Sequence, residues 1–90
     1  MDEAAYRAKL TAEGFGEPTL REQPADKFVD RHTHDFAACL LFLEGEFTVA
    51  TDDTTTTCHA GDVFELAPNI PHTERSGPAG AKYWAATKPV

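Results

Sequence analysis

The feature that most limits what this chain can fold into is its punctuation. Turn-forming residues recur along it at Gly14 and Gly16, Pro24, Glu44-Gly45-Glu46, Asp52-Asp53, Ala60-Gly61-Asp62, Pro68 to Pro71 and Ser76 to Gly80. The segments between them are short and carry β-branched, aromatic and aliphatic residues. That pattern predicts about seven or eight short strands at spacings of roughly 6–12 residues, and hence an all-β sandwich or barrel.

One segment before the first glycines departs from this. Asp2 can cap a helix, Ala4, Ala5, Ala8 and Ala12 favour one, and Tyr6 and Leu10 fall one turn apart on one face, so a helix is expected from Asp2 to about Glu13. Gly14 and Gly16 stop it. Its apolar stripe is thin, which suits a lid, a packing element or a dimer contact rather than a chemical role.

Pro18 to Asp30 reads as two short strands about a proline turn, with Phe28 and Val29 leading into His32. His32 to Leu43 is the longest apolar run and reads as a strand ending at Glu44-Gly45-Glu46. Phe47 to Thr51 and the threonine tract Thr54 to Thr57 form a hairpin about Asp52-Asp53. Val63 to Leu66 is a buried strand, and Pro68-Asn69-Ile70-Pro71 is a rigid corner in which Asn69 tolerates positive φ. His72 to Arg75 and Ala81 to Thr87 are the last strands, separated by a turn from Ser76 to Gly80.

Within this frame the chemistry gathers on histidine. Side chains at i and i+2 of a strand share a face, so His32 and His34 can hold one ion between them, and His72, delivered by the proline corner, supplies a third ligand. Three neutral imidazoles can bind a divalent transition metal, whether Fe, Mn, Ni, Cu or Zn, and leave positions for water or substrate. Glu74 shares the face of His72. It can serve as a fourth ligand, as an acceptor orienting an imidazole, or as a general base, against the plainer role of a carboxylate paired with Lys82 or Arg75 at the barrel mouth. His59 sits at a turn and is expected to face solvent. Cys39 and Cys58 have no Cys-x-x-Cys spacing and are expected to be reduced, partly buried small residues.

The charge balance narrows the partners. With 15 acidic against 8 basic residues and a net charge of −7, and with no basic run, the chain is unsuited to nucleic acid or an anionic membrane surface. It has no apolar stretch long enough to span a bilayer, and its acidic start lacks the features of a secretory signal, so a cytoplasmic location is expected. At 90 residues a single domain is close to the size at which burial alone suffices, and a homodimer is the expected way of covering more surface.

From about Arg31 to Trp84 the chain resembles a small, single-domain, bacterial cupin-2-like β-barrel. The first cupin motif, His-x-His, three or four residues, Glu, six residues, Gly, is met by His32, His34 and Gly45. The second, Gly, five residues, Pro-x-Gly, two residues, His, three residues, Asn, is met by Gly61 and His72. The resemblance implies a cupin double-stranded β-helix, or jelly-roll barrel, over residues 18–88 with a helical extension at 1–16, the whole of 1–90 being one domain. Ala38 stands where the family has its ligating Glu, Ala67 replaces Pro, Asn69 replaces Gly, Ser76 replaces Asn, and Asp26 takes the place of the Gly that begins the first motif. Without the Glu a bound ion keeps its full double positive charge and favours a small bidentate anionic ligand. As an enzyme reading, the resemblance implies an oxygenase, or an isomerase or lyase, acting on a small chelating metabolite. It also implies two alternatives, a non-enzymatic small-ligand or metal sensor and a metal-free barrel. Some thiol dioxygenases of the superfamily carry Cys one place after the Glu position, which would be Cys39, although regular strand parity turns Cys39 away from the metal.

Overall fold

The computed structural model describes residues 1–89. One helix, α1 (Glu3–Glu13), precedes six strands: β1 (Thr19–Gln23), β2 (Phe28–His32), β3 (Phe36–Thr51), β4 (Thr55–Cys58), β5 (Val63–Leu66) and β6 (His72–Pro89). The helix ends as its sequence dictates. The Asp2 carboxylate accepts from the Ala5 N–H at 2.8 Å, and Gly14 closes the C-terminus at φ 79°.

All strand pairings are antiparallel, and two long strands organise them. β3 and β6 pair along nearly their whole lengths, from Phe36 opposite Pro89 to Thr51 opposite His72. The first half of β3 and the second half of β6 are flanked by β5 and β1; the other halves are flanked by β4 and β2. Each long strand thus runs through both leaves of a sandwich, which is the jelly-roll arrangement. The expected turns at Glu44-Gly45-Glu46 and Ser76 to Gly80 are bends within β3 and β6, which is why there are six strands. The ladder shifts between Phe42 and Glu44 and again between Gly45 and Phe47. The bulge changes side-chain parity, so that Phe42 before it and Phe47 and Val49 after it all stay buried. The two strands must bend together, and Gly45 and Gly80, both at φ 79°, touch there: a Cβ on Gly45 would lie 2.1 Å from the Gly80 carbonyl oxygen.

Phe42, Phe47 and Tyr83 fill the space near this bend, with ring centroids 5.2 to 5.6 Å apart, joined by Val49, Cys58 and Ala81. A second cluster lies on the outside of the β1-bearing leaf, where Tyr6 and Leu10 of α1 bury Cys39, Leu41 and Ala86. The helix is therefore a packing element. Its Tyr6 hydroxyl donates to the Cys39 carbonyl at 2.7 Å, so the burial leaves no polar atom of the tyrosine unpaired.

Three departures from the cupin motifs keep the backbone intact. Asp26 and Asn69 adopt φ 55° and 61°, positive values that Asp and Asn tolerate in place of glycine. Ser76 is buried; its hydroxyl accepts from the Lys27 N–H and donates to the Pro24 carbonyl, pinning the turn before β2.

Candidate metal centre

The three histidines reach one place from three pieces of backbone. His32 ends β2, directly opposite His72 at the start of β6, with an irregularity in the ladder between Val29 and His32. His34 lies past the end of β2, in the connection to β3 rather than in a strand, because the chain is there crossing from one leaf to the other. Its carbonyl accepts from the Asn69 N–H at 2.7 Å, which ties the His34 connection to the corner that delivers His72. The expected His32–His34 strand pair is in this respect altered, yet the rings still meet. Centroids are 4.8 Å apart for His32 and His34, 4.3 Å for His32 and His72, and 5.0 Å for His34 and His72. One ring nitrogen from each lies within 4.8 Å of the others.

Backbone contacts set which nitrogens face inward. His32 Nδ1 lies 2.7 Å from the Asp30 carbonyl and His72 Nδ1 lies 2.8 Å from the Ile70 carbonyl. A carbonyl oxygen only accepts, so both Nδ1 atoms carry hydrogen and donate, and each neutral ring presents its lone pair at Nε2. The Glu74 carboxylate meets those nitrogens: Oε2 is 3.2 Å from His72 Nε2 and 3.9 Å from His32 Nε2. Two acceptors facing one another at 3.2 Å call for a cation between them, either a proton or a metal ion. The donor set therefore fits a divalent transition metal, with three imidazoles and a carboxylate available. His34 stacks on Phe36, centroids 4.8 Å apart, and burial first, then His32 and His72, holds its pKa below 6.5. A neutral imidazole is the form that ligates.

Glu74 thus turns inward. The cations considered as its partners are engaged elsewhere: Arg75 lies over the Phe28 ring, and Lys82 faces Glu22 and Glu44. Cys39 does not join the site. β3 is regular up to Phe42, so Cys39 stays on the outer face against α1, where burial first, then Glu65, pushes its thiol up to about 11. His59 is exposed, near Glu46.

His32, His34 and Glu74 line a cavity of about 210 Å³ between the leaves, with His72 buried behind them. Ala38 lines it, so the usual position of the ligating Glu faces the site with a methyl group. Leu40, Val49, Phe64 and Leu66 form its apolar wall, and Arg21, Gln23 and Tyr83 also face it. Arg21 and Gln23 carry no signal of this in the sequence; only the pairing of β1 with β6 brings them here beside Tyr83.

Fold and site together define a cupin-type barrel with a cluster of three histidines. The model of the AraC-like ligand-binding domain matches residues 16–86, and the chain belongs to that family. Among solved structures, a Rhizobium leguminosarum protein of unknown function superposes with a TM-score of 0.74 at 24% identity, over 83% of this chain and 76% of that one. A cupin superfamily protein from Desulfitobacterium hafniense gives 0.69 at 20% identity, over 79% and 64%. The DMSP lyase DddQ from Ruegeria pomeroyi gives 0.69 at 17% identity, over 77% of this chain and 36% of the lyase. At these identities the likeness establishes the fold alone. No curated protein sequence matches the chain.

Proposed function

We propose that this domain binds a divalent transition metal through His32, His34 and His72 and uses it to hold a small anionic, chelating ligand. The observation that carries the reading is the pair of Nδ1–H to carbonyl contacts, which aim His32 Nε2 and His72 Nε2 at one carboxylate oxygen of Glu74. With Ala38 in place of an acidic ligand, the site keeps more of the ion's positive charge than a Glu-containing cupin does. The missing negative charge comes from Glu74 or from the ligand. If the domain is an enzyme, Glu74 is the group placed to move a proton, and the chemistry is oxygenation, isomerisation or elimination on that ligand. The metal supplies Lewis acidity or, for iron, O₂ chemistry.

Membership of a ligand-binding family favours a second reading, in which binding is the whole function and the domain reports or stores its ligand. We place residues 1–90 in one working domain, with 1–16 as a supporting extension of the barrel at 18–88. Homodimerisation is part of the proposal, supported by the exposed Leu20 on the edge strand β1. A cytoplasmic location is supported by two cysteines left free in separate clusters. No described helix is long and apolar enough to cross a membrane.

Cobalt-loaded protein tests the reading. Addition of 2-oxo acids or enediols is expected to change the visible spectrum of the ion and raise Tm, while matched monoalcohols do neither; spectra unmoved by every chelating anion would contradict it. Turnover of the chelator, or O₂ uptake by the iron-loaded form, then separates enzyme from binding module.

A further inference from the structure

The cavity is lined by a second group of polar residues. β1 pairs with β6 so that Arg21 lies directly opposite Tyr83, and side chains in such a pair share a face; Gln23, two residues on, shares it too. All three line the cavity that His32 and His34 border.

Two of these groups have unused hydrogen-bonding capacity. Gln23 Nε2 donates to the Tyr83 hydroxyl oxygen at 3.1 Å, and among the described residues no acceptor takes the phenol's own hydrogen. Tyr83 is only 6% exposed, so that donor is withheld from bulk water and turned towards the cavity. Burial, foremost, raises the phenol's pKa, so it remains a donor across the physiological range. Arg21 makes one weak contact, from Nε to the Thr19 hydroxyl at 3.4 Å, and among the described residues no carboxylate lies within ion-pair distance of it. Arg21 is exposed on β1 and, like Lys27, Arg75 and Lys88, has no carboxylate within ion-pair distance among the described residues; of these four cations it is the one that lines the cavity. Its neighbour Glu22 points the other way, to Lys82.

We propose that Arg21 and Tyr83, the latter oriented by Gln23, form a carboxylate-binding subsite in the cavity that His32 and His34 also line. The guanidinium fork matches a carboxylate in two parallel hydrogen bonds, and the phenol adds a third donor. Leu40, Phe64 and Leu66 lie along the wall, so the ligand carries a short apolar segment behind its carboxylate. A volume of about 210 Å³ is below the 300–1,000 Å³ usual for drug-sized ligands, which limits that segment to a few carbons. The inference thus names a class for the ligand of the proposed metal site: a short carboxylate with an oxygen function at its opposite end. It rests on that reading for the far end of the ligand only.

Calorimetry with glutarate, its diamide and pentanoate tests the subsite. In zinc-loaded protein glutarate is expected to bind and the diamide not to. Arg21→Gln should weaken glutarate at least tenfold and Tyr83→Phe several-fold, while zinc affinity stays unchanged and Arg75→Gln has no effect. In metal-free protein pentanoate should bind weakly and lose that binding in Arg21→Gln, so a failure of the metal reading leaves this arm intact. Equal binding of acid and diamide, an Arg21→Gln variant that binds as well as the parent, or no binding of either acid overturns the proposal.

Discussion

The first half of β3 has two faces that were built to opposite rules. On the outer face Cys39 and Leu41 are sealed under α1, with Tyr6 fully buried and its hydroxyl satisfied. On the inner face, one residue away on each side, Ala38 and Leu40 border open space, and polar groups converge with donors and lone pairs unused. Alternation along a single strand thus separates a face that holds the domain together from one that leaves room for a ligand. The sealed face teaches where stability is concentrated, and the open face where it has been forgone in favour of chemistry.

Changes to the sealed face should cost most stability and leave the metal alone. Tyr6→Ala removes a fully buried aromatic and its hydrogen bond, and a loss of about 3–5 kcal/mol is expected by denaturant unfolding. That is a large part of the roughly 5–15 kcal/mol typical of a folded domain. Under conditions where the variant stays folded, zinc affinity should match the parent.

Changes to the open face should do the reverse. His72→Ala is expected to lower metal affinity by at least about 100-fold, measured by competition with a chromophoric chelator, since loss even of an outer partner of a ligand costs roughly 10–100-fold. Tyr6 packing should survive, so near-ultraviolet dichroism of the folded variant should change little.

The pH dependence sharpens the comparison from the sealed side. The Cys39 thiol rises from 9.0 to about 11, first because of burial and then because of Glu65. A raised folded-state value means that the unfolded chain loses its proton first as pH rises. The stabilising contribution is therefore complete below pH 9 and is lost as pH climbs through about 11, a change on the order of 2 kcal/mol. Cys39→Ala should flatten this alkaline decline without abolishing it, because Tyr6, Cys58 and Tyr83 are also raised.

The smallest effect tests the gap that Ala38 leaves. Ala38→Glu restores a carboxylate facing the histidines and is expected to raise divalent-metal affinity roughly tenfold, about 1.4 kcal/mol, and to weaken anionic chelators in proportion.

Much of this was legible in the sequence where local chemistry decides the outcome. Asp2 and Gly14 bound the helix, Asn69 takes the positive φ of its corner, and His72 follows that corner to meet His32. What was not legible depends on partners distant in the chain. Glu44-Gly45-Glu46 and Ser76 to Gly80 carry the composition of turns, yet they are coupled bends, because β3 and β6 continue to pair through them. Arg21 and Gln23 sit in a weakly patterned strand, and their access to the cavity follows only from the register with Tyr83 and Ala81. His34, expected on a strand, reaches the site from a connection held by Asn69.

The central claim is that His32, His34 and His72 hold one ion. Metal content after native purification, together with a zinc titration of the metal-free protein beside the triple His32→Ala, His34→Ala, His72→Ala variant, tests it most directly. The account predicts about one ion per chain and a raised Tm for the parent, and neither for the variant. Metal content well below one ion per chain, with no change in Tm on adding metal, would contradict it.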